Sequence, residues 1–280
     1  MKKICKFCKK KFSSKLEVFS HVKIKNKHQF YQCDYCKIDV QPKFIKNLYT
    51  TIDNSNYNFN KNIFYYLKQI ILLKFVFSLR KFFYKKKNIL DYGCGSGELA
   101  ITLSKYFNDK NIFTADVVNF NQQFLSRIKK HYLLQKGELK NKKFDIILMR
   151  HVLEHVFNLN NFLKKIKKNI KSKNSFLVIE VPNRNSLWRR IMKKRWPGYF
   201  YPFHYYVFSK TFLINYLNKK GFKIVKEKNL EPPIIGTFLL TYGVNKSICK
   251  ILSIFFYPLQ FILSKIFSSS EAILLIVKKN

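Results

Sequence analysis

The run Ile89-Leu90-Asp91-Tyr92-Gly93-Cys94-Gly95-Ser96-Gly97-Glu98 constrains this chain more than any other stretch. An apolar strand enters a turn with glycine at every second position, and a helix opens directly behind it. Glycines there let backbone N–H groups approach a ligand closely. Asp116 ends the next apolar run nineteen residues past Gly97, where a carboxylate accepts hydrogen bonds from both hydroxyls of a ribose. A nicotinamide cofactor calls for G-x-G-x-x-G, but the sixth position here is Glu98 and the third glycine comes one residue early. The spacing speaks against NAD.

From Asn88 onward short apolar runs alternate with amphipathic ones. Strands are expected at Asn88–Tyr92, Asn111–Asp116, Phe144–Met149 and Ser175–Val181, with helices at Glu98–Phe107 and Asn160–Lys171. Ser209 caps a further helix that Gly221 ends, and strands follow at Phe222–Val225 and Glu271–Val277. This order predicts an α/β fold, a Rossmann-like sheet with helices on both faces. The expected organisation is a small Cys-rich module over 1–46, a linker and lead-in helix over 47–87, and a main domain over 88–280 with an apolar helical insert at about 232–268.

The glycine run resembles the first motif of class I S-adenosylmethionine-dependent methyltransferases. The resemblance extends to Phe144-Asp145-Ile146-Ile147-Leu148-Met149-Arg150-His151-Val152-Leu153-Glu154-His155-Val156, which is similar to the fourth-strand signature of the small-molecule branch. Phe176–Glu180 with Val181-Pro182-Asn183, and Pro202-Phe203-His204 before Phe208-Ser209, are similar to the segments that follow. The resemblance implies S-adenosylmethionine as cofactor, with Gly93, Gly95 and Gly97 around its amino-acid moiety, Asp91 assisting there and Asp116 on the ribose. It also implies an acidic contact to the adenine, for which Glu138 is the nearest match.

Methyl transfer from a sulfonium needs alignment and, for a hydroxyl or carbon acceptor, a base. His151, His155 and His204 are the candidates. His151 is expected first, since it ends the fourth strand and an unperturbed imidazole is largely neutral near neutral pH. The H-x-x-E-H cluster is a poor magnesium site, with one carboxylate and two imidazoles. Five of the seven arginines, Arg150, Arg184, Arg189, Arg190 and Arg195, cluster in this half of the chain and suggest an anionic acceptor. The aromatics from Trp188 to Tyr206 suit a sugar-binding lid, with packing over the sheet as the alternative.

Cys5, Cys8, Cys33 and Cys36 form C-x2-C-x24-C-x2-C, a spacing apt for one structural zinc in a ribbon. The alternative set is Cys5, Cys8, His21 and His28, which strands Cys33 and Cys36. The run Phe30 to Cys36 also resembles the N-terminal ribbon of sugar-modifying and polysaccharide-locus methyltransferases. Cys94 and Cys249 read as packing residues.

The chain carries 54 Lys+Arg against 15 Asp+Glu. That field attracts polyanions and anionic membranes, yet only seven of the basic residues are arginine, the residue that forks onto phosphate and guanine. The first reading is therefore methylation of a small-molecule or sugar/polysaccharide-precursor acceptor. The alternative is an RNA methyltransferase that holds RNA with the zinc module and basic surface. No secretory leader follows the first residues, so a cytoplasmic location is expected. Ile63–Phe83 and Ile248–Phe267 are apolar but interrupted by charges. They are expected to be helices packed on the core rather than transmembrane spans, with peripheral contact at the inner face of the membrane as the alternative.

Overall fold

The computed structural model describes residues 4–19, 28–42, 63–117 and 128–280, with side chains of the first helix from residue 69. The N-terminal segment forms three short antiparallel strands, β1 (Ser14–Glu17), β2 (Gln29–Cys33) and β3 (Ile38–Val40). Then follow α1 (Ile63–Phe83), β4 (Asn88–Tyr92), α2 (Glu98–Tyr106), β5 (Asn111–Asp116), β6 (Lys130–Leu133) and β7 (Ile146–Arg150). The second half contains α3 (Leu159–Asn169), β8 (Phe176–Pro182), α4 (Leu187–Met192), β9 (Tyr206–Phe208) and α5 (Lys210–Lys219). It closes with β10 (Phe222–Leu230), α6 (Ile235–Leu240), α7 (Lys246–Ile266) and β11 (Ala272–Lys279).

Seven strands build the central sheet in the order β10-β11-β8-β7-β4-β5-β6. β8, β7, β4, β5 and β6 run parallel, while β11 is antiparallel to both β8 and β10. The strand order reverses at β4, which lies between β5 and β7. In open α/β sheets ligands bind in the crevice at the carboxyl ends of the strands beside such a reversal.

The strands are apolar on both faces because both are covered, as parallel sheets require. Ile89, Ile146, Leu148, Leu274 and Ile276 face α1 and α2 and meet Val76, Leu79 and Leu103, all buried. Leu90, Ile147, Leu177, Ile179 and Leu275 face α3 and α5 and meet Leu163, Ile166, Leu213 and Leu217. The helices on this face start at side-chain caps. Asn158 accepts from Asn161 N at 3.1 Å and Ser209 from Phe212 N at 3.2 Å.

Three sequence expectations need correction. The N-terminal module is not a separate unit, since β9 of the main domain pairs with β3 and completes a four-stranded sheet β1-β2-β3-β9. The aromatic segment after α4 is packing, not a ligand lid. Trp196, Tyr199, Tyr201, Phe203, Tyr205 and Tyr206 are all buried, several of them against Val18 and Phe30 of the N-terminal sheet. Finally, α1 packs on the core as expected, but α7 does not. Only 17 % of its most apolar window is buried, and by length and composition this helix is long and apolar enough to cross a membrane.

Candidate active site

The glycine turn is pinned to the end of β5. Gly93 N donates to Ala115 O at 2.7 Å and Gly97 N to Cys94 O at 2.8 Å. All three glycines have positive φ, 70°, 52° and 74°, where a Cβ is strained. Gly93 is doubly constrained, because a Cβ there would sit 2.6 Å from Val152 Cγ2. Val152 thus closes the turn from the β7 side. At Gly95 nothing lies within 4 Å of a built Cβ, so the turn opens into space there.

Two carboxylates meet this opening. Asp116 accepts from Gly95 N at 2.8 Å and from Val117 N at 2.6 Å. Asp91 is buried and its Oδ2 has no hydrogen-bond partner among the described residues. Burial pushes its carboxyl up to about 7, with Arg150 pulling down and Asp116 pushing up. A cation-bearing ligand with donor groups fits an open glycine cradle that holds an orphaned carboxylate oxygen. Glu138 accepts from Leu133 N at 2.9 Å, and Leu133 is in register with Asp116 on the neighbouring strand. The sequence-assigned cofactor residues Asp91, Gly93, Gly95, Gly97, Asp116 and Glu138 therefore lie along the carboxyl ends of β4, β5 and β6.

A charged network lies on the other side of the turn. His151 has φ 52°, an unusual backbone for this residue type. Its Nδ1 lies 3.2 Å from Glu154 Oε1 and its Nε2 lies 3.3 Å from Glu180 Oε1. Carboxylates only accept, so each ring nitrogen carries a proton, and the two partners outweigh burial to hold the imidazolium up to about 10. The two carboxylates thus work against the neutral imidazole expected at this position. Glu180 also receives Arg150, Nε to Oε2 at 2.5 Å and Nη2 to Oε1 at 3.2 Å. These two cations overcome its burial and keep it ionised far below the usual carboxylate range. Glu180 was missed from the sequence, although a charged residue inside the run Leu-Val-Ile-Glu-Val is itself the signal.

His155 and His204 stand beside this pair. Their rings meet edge to face at 4.5 Å. His155 Nδ1 lies 3.0 Å from Phe203 O and His204 Nδ1 lies 2.8 Å from Gly198 O. A carbonyl only accepts, so both rings carry their proton on Nδ1 and Nε2 is the basic nitrogen. Burial holds His155 below its usual value, with Glu154 pulling the other way. Glu154 is fully buried; its Oε1 is 4.0 Å from His204 Nε2, and its Oε2 has no partner among the described residues. Ligand atoms of Glu154, His155 and His204 lie within 4.8 Å of one another, close enough to share a cation. Glu154 and His155 follow β7 in a 3-10 turn, Leu153–His155, while His204 comes from the segment just before β9.

The clustered arginines have other work. Arg184 donates to Asp39 at 2.7 Å and to Asp34 at 2.8 Å, while Arg189 donates to the other oxygen of Asp39 at 2.6 Å. Arg195 donates to Thr241 O, and Arg190 is exposed on α4. Four of the five thus hold the protein together, and the clustering no longer speaks for an anionic acceptor.

Cys5, Cys8, Cys33 and Cys36 come together, with every Sγ within 4.8 Å of the others. Cys5 and Cys36 are 3.9 Å apart and Cys8 and Cys33 are 3.6 Å apart. A tetrahedral site with Zn–S bonds of about 2.3 Å has sulfur–sulfur edges of about 3.8 Å, so the donor set fits zinc. Both C-x-x-C turns end in a lysine of positive φ, Lys9 at 64° and Lys37 at 58°, so the two are alike in backbone as well as sequence. His21, of the alternative ligand set, lies outside the described residues, as does most of the linker.

Residues 59–227 match the family model described as "Methyltransferase domain". The chain belongs to this family. Relatives of this chain include a "Ubiquinone biosynthesis O-methyltransferase" of Pelagibacter ubique, 29 % identical over 138 residues, which are 46 % of this chain and 55 % of the relative. One from Rickettsia bellii is 33 % identical over 104 residues, 34 % of this chain and 42 % of the relative. "N-methyltransferase 4" of Papaver somniferum is 33 % identical over 106 residues, 33 % of this chain and 29 % of the relative. The chain thus spans about half or less of the length of these relatives. Among solved structures, a SAM dependent methyltransferase from Archaeoglobus fulgidus aligns with a TM-score of 0.50 at 21 % identity, over 75 % of this chain and 94 % of that one. That likeness establishes a shared fold.

Proposed function

We propose that this methyltransferase moves the methyl group of S-adenosylmethionine to a hydroxyl or carbon of a small-molecule or sugar-type acceptor, with His155 taking the proton. When bound, the cofactor supplies a methyl already activated on a sulfonium. Asp91 and the turn Gly93–Gly97 would hold its amino-acid end, Asp116 its ribose and Glu138 its adenine. The observation that carries the reading is the pair His155 and His204 behind β7. Burial keeps His155 neutral and its Nδ1 bond leaves Nε2 as the basic nitrogen. A neutral imidazole in reach of a hydroxyl is a competent base. His151, already an imidazolium, is a positioning residue that fixes Glu154 and Glu180, and His204 is the fallback base.

The test is in two steps. Asp116→Ala should weaken S-adenosylmethionine binding in calorimetry by about 10- to 100-fold, the loss of one charged acceptor; unchanged affinity sinks the cofactor assignment. Against an acceptor found by screening, His155→Ala should lower kcat by about 10²–10⁴-fold with cofactor affinity kept. A His155→Ala enzyme within a few-fold of wild type, with His204→Ala inactive, moves the role to His204.

One observation favours the RNA reading. A cleft of about 850 Å³ between the cysteine cluster, α3 and α5 is lined by Lys6, Lys10, Lys37, Lys219 and Lys220 together with Tyr35 and Tyr216. Lysines interleaved with aromatic faces suit a single strand. Salt-dependent RNA binding that a Lys37→Ala/Lys219→Ala pair weakens would promote this reading. Four cysteine thiols complete the proposal as the ligands of one structural zinc. Burial and neighbouring sulfurs push Cys5 and Cys36 up, so a dication is what lets all four ionise together.

A further inference from the structure

α7 is built inside out. Its inward face is polar: Gln260 donates to Glu231 Oε1 at 2.8 Å and to Pro232 O at 2.7 Å, and accepts from Ile234 N at 3.1 Å. Ser253 Oγ accepts from Gly236 N at 2.8 Å and Ser264 Oγ from Trp188 Nε1 at 3.0 Å. Its outward face is apolar. Ile248, Ile251, Phe255, Leu259, Ile262 and Ile266 recur every three or four residues, and each is between 50 % and 75 % exposed. A helix in water places its apolar stripe on the core and its polar stripe outside, and an apolar strip this long on a monomer marks a contact surface.

The topology says how a bilayer would meet it. α7 is about 31 Å long at 1.5 Å per residue, enough to span a hydrocarbon core. Yet α6 before it packs back against it through Gly236 and Ser253, and β11, which starts at Ala272, is paired on both sides inside the central sheet. The two ends cannot lie on opposite sides of a membrane while this sheet exists, so the helix lies in the surface plane. Charge selects the surface. Lys246 and Lys265 stand exposed at the two ends of the apolar stripe, and the whole chain carries a formal +39. Lysines beside a buried apolar face are the arrangement that anionic headgroups recognise.

We propose that α7 is a monotopic membrane contact, seated by its Ile248–Ile266 stripe in the headgroup boundary of an anionic bilayer. This inference stands independently of the methyl-transfer reading, and its test uses no cofactor. The full chain is co-sedimented with vesicles of roughly 30 % phosphatidylglycerol in phosphatidylcholine and, in parallel, of phosphatidylcholine alone. Wild type should partition onto the anionic vesicles and much less onto the neutral ones. Ile251→Glu/Phe255→Glu should lower that partition on the order of 100-fold, with no fall in thermal stability because both side chains face solvent in the free protein. A milder pair, Ile248→Ser/Ile262→Ser, reads the same surface if the glutamates disturb the helix. Wild type left in the supernatant, equal binding to neutral vesicles, or variants that bind as wild type overturn the proposal. So does a wild-type dimer in sedimentation velocity that the glutamate pair converts to monomer, since a second copy would then cover the stripe.

Discussion

Asp39 is the point at which the N-terminal sheet and the main domain depend on each other most directly. It lies in the middle of β3, fully buried, and one oxygen accepts from Arg184 Nε at 2.7 Å while the other accepts from Arg189 Nη2 at 2.6 Å. Both guanidinium groups come from the segment that also supplies His204, and their side chains are only 9 % and 16 % exposed. Asp39→Ala leaves two largely buried cations facing each other. Breaking a buried pair in this way costs about 3–5 kcal/mol. At roughly 2 °C per kcal/mol for a chain of this size, the midpoint of thermal unfolding should fall by about 6–10 °C. Asp34→Ala is the control. Asp34 meets the same Arg184 at 2.8 Å but is 56 % exposed, so its loss should cost about 0–1 kcal/mol. Replacing all three buried partners, Asp39→Leu with Arg184→Met and Arg189→Met, should recover most of the loss, because no unpaired charge then remains. A midpoint for Asp39→Ala within about 2 °C of wild type would refute the reasoning and leave apolar packing as what joins the two sheets.

Metal analysis should find one zinc per chain in wild type and close to none in Cys33→Ser; full retention would transfer the site to the set with His21 and His28. Gly93→Ala should cost about 1–3 kcal/mol in urea unfolding, from the 2.6 Å approach to Val152 Cγ2, and adding Val152→Ala should return part of it. For His151 the folded-state value is raised, from 6.5 to about 10, so its contribution to stability is complete below pH 6.5 and is lost as the pH rises through about 10. The wild-type advantage over His151→Gln in urea should therefore shrink between pH 7 and pH 10.5, and a gap that widens with pH contradicts the imidazolium assignment.

The elements visible in the sequence were those with strong periodicity or a cap. β4 and β5 begin and end where the apolar runs and Asp116 place them, and Ser209 caps α5 as expected. β6 escaped because Lys130-His131-Tyr132-Leu133 is four residues long with a single buried side chain, so no alternation is legible. β10 reads as a strand only to Val225, since Lys226-Glu227-Lys228-Asn229 has no apolar alternation, yet its burial alternates to Leu230 with Lys226 and Lys228 at half-buried positions. β9 could not be found locally at all. Its partner, β3, lies more than 160 residues earlier, and such a pairing leaves no periodic mark in three residues. At the site, the glycine turn and its carboxylates are legible because backbone strain and strand ends impose residue types. The protonation of His151 is only half legible: Glu154 stands three residues on, but its other partner, Glu180, is far off in sequence and on the adjacent strand.

Arg150 and His151 are taken up by Glu180 and Glu154, which leaves Asp91 and Asp116 on the cofactor side with only backbone donors in direct contact among the described residues. Asp116 makes Asp91 harder to ionise, and burial lifts Asp91 further, to about 7. At pH 7 Asp91 is therefore about half protonated. A cationic cofactor held in the turn opposes both effects and drives Asp91 to its ionised form, so binding should release about half a proton at pH 7. The release should grow toward pH 6, where more of the carboxyl starts protonated, and fade by pH 8. Calorimetry of S-adenosylmethionine in buffers of different ionisation enthalpy measures it as a buffer-dependent heat, and Asp91→Asn should remove that dependence while wild type keeps it. A heat that is the same in every buffer at pH 7, or a release that grows with rising pH, would mean that Asp91 does not face the cofactor's charge.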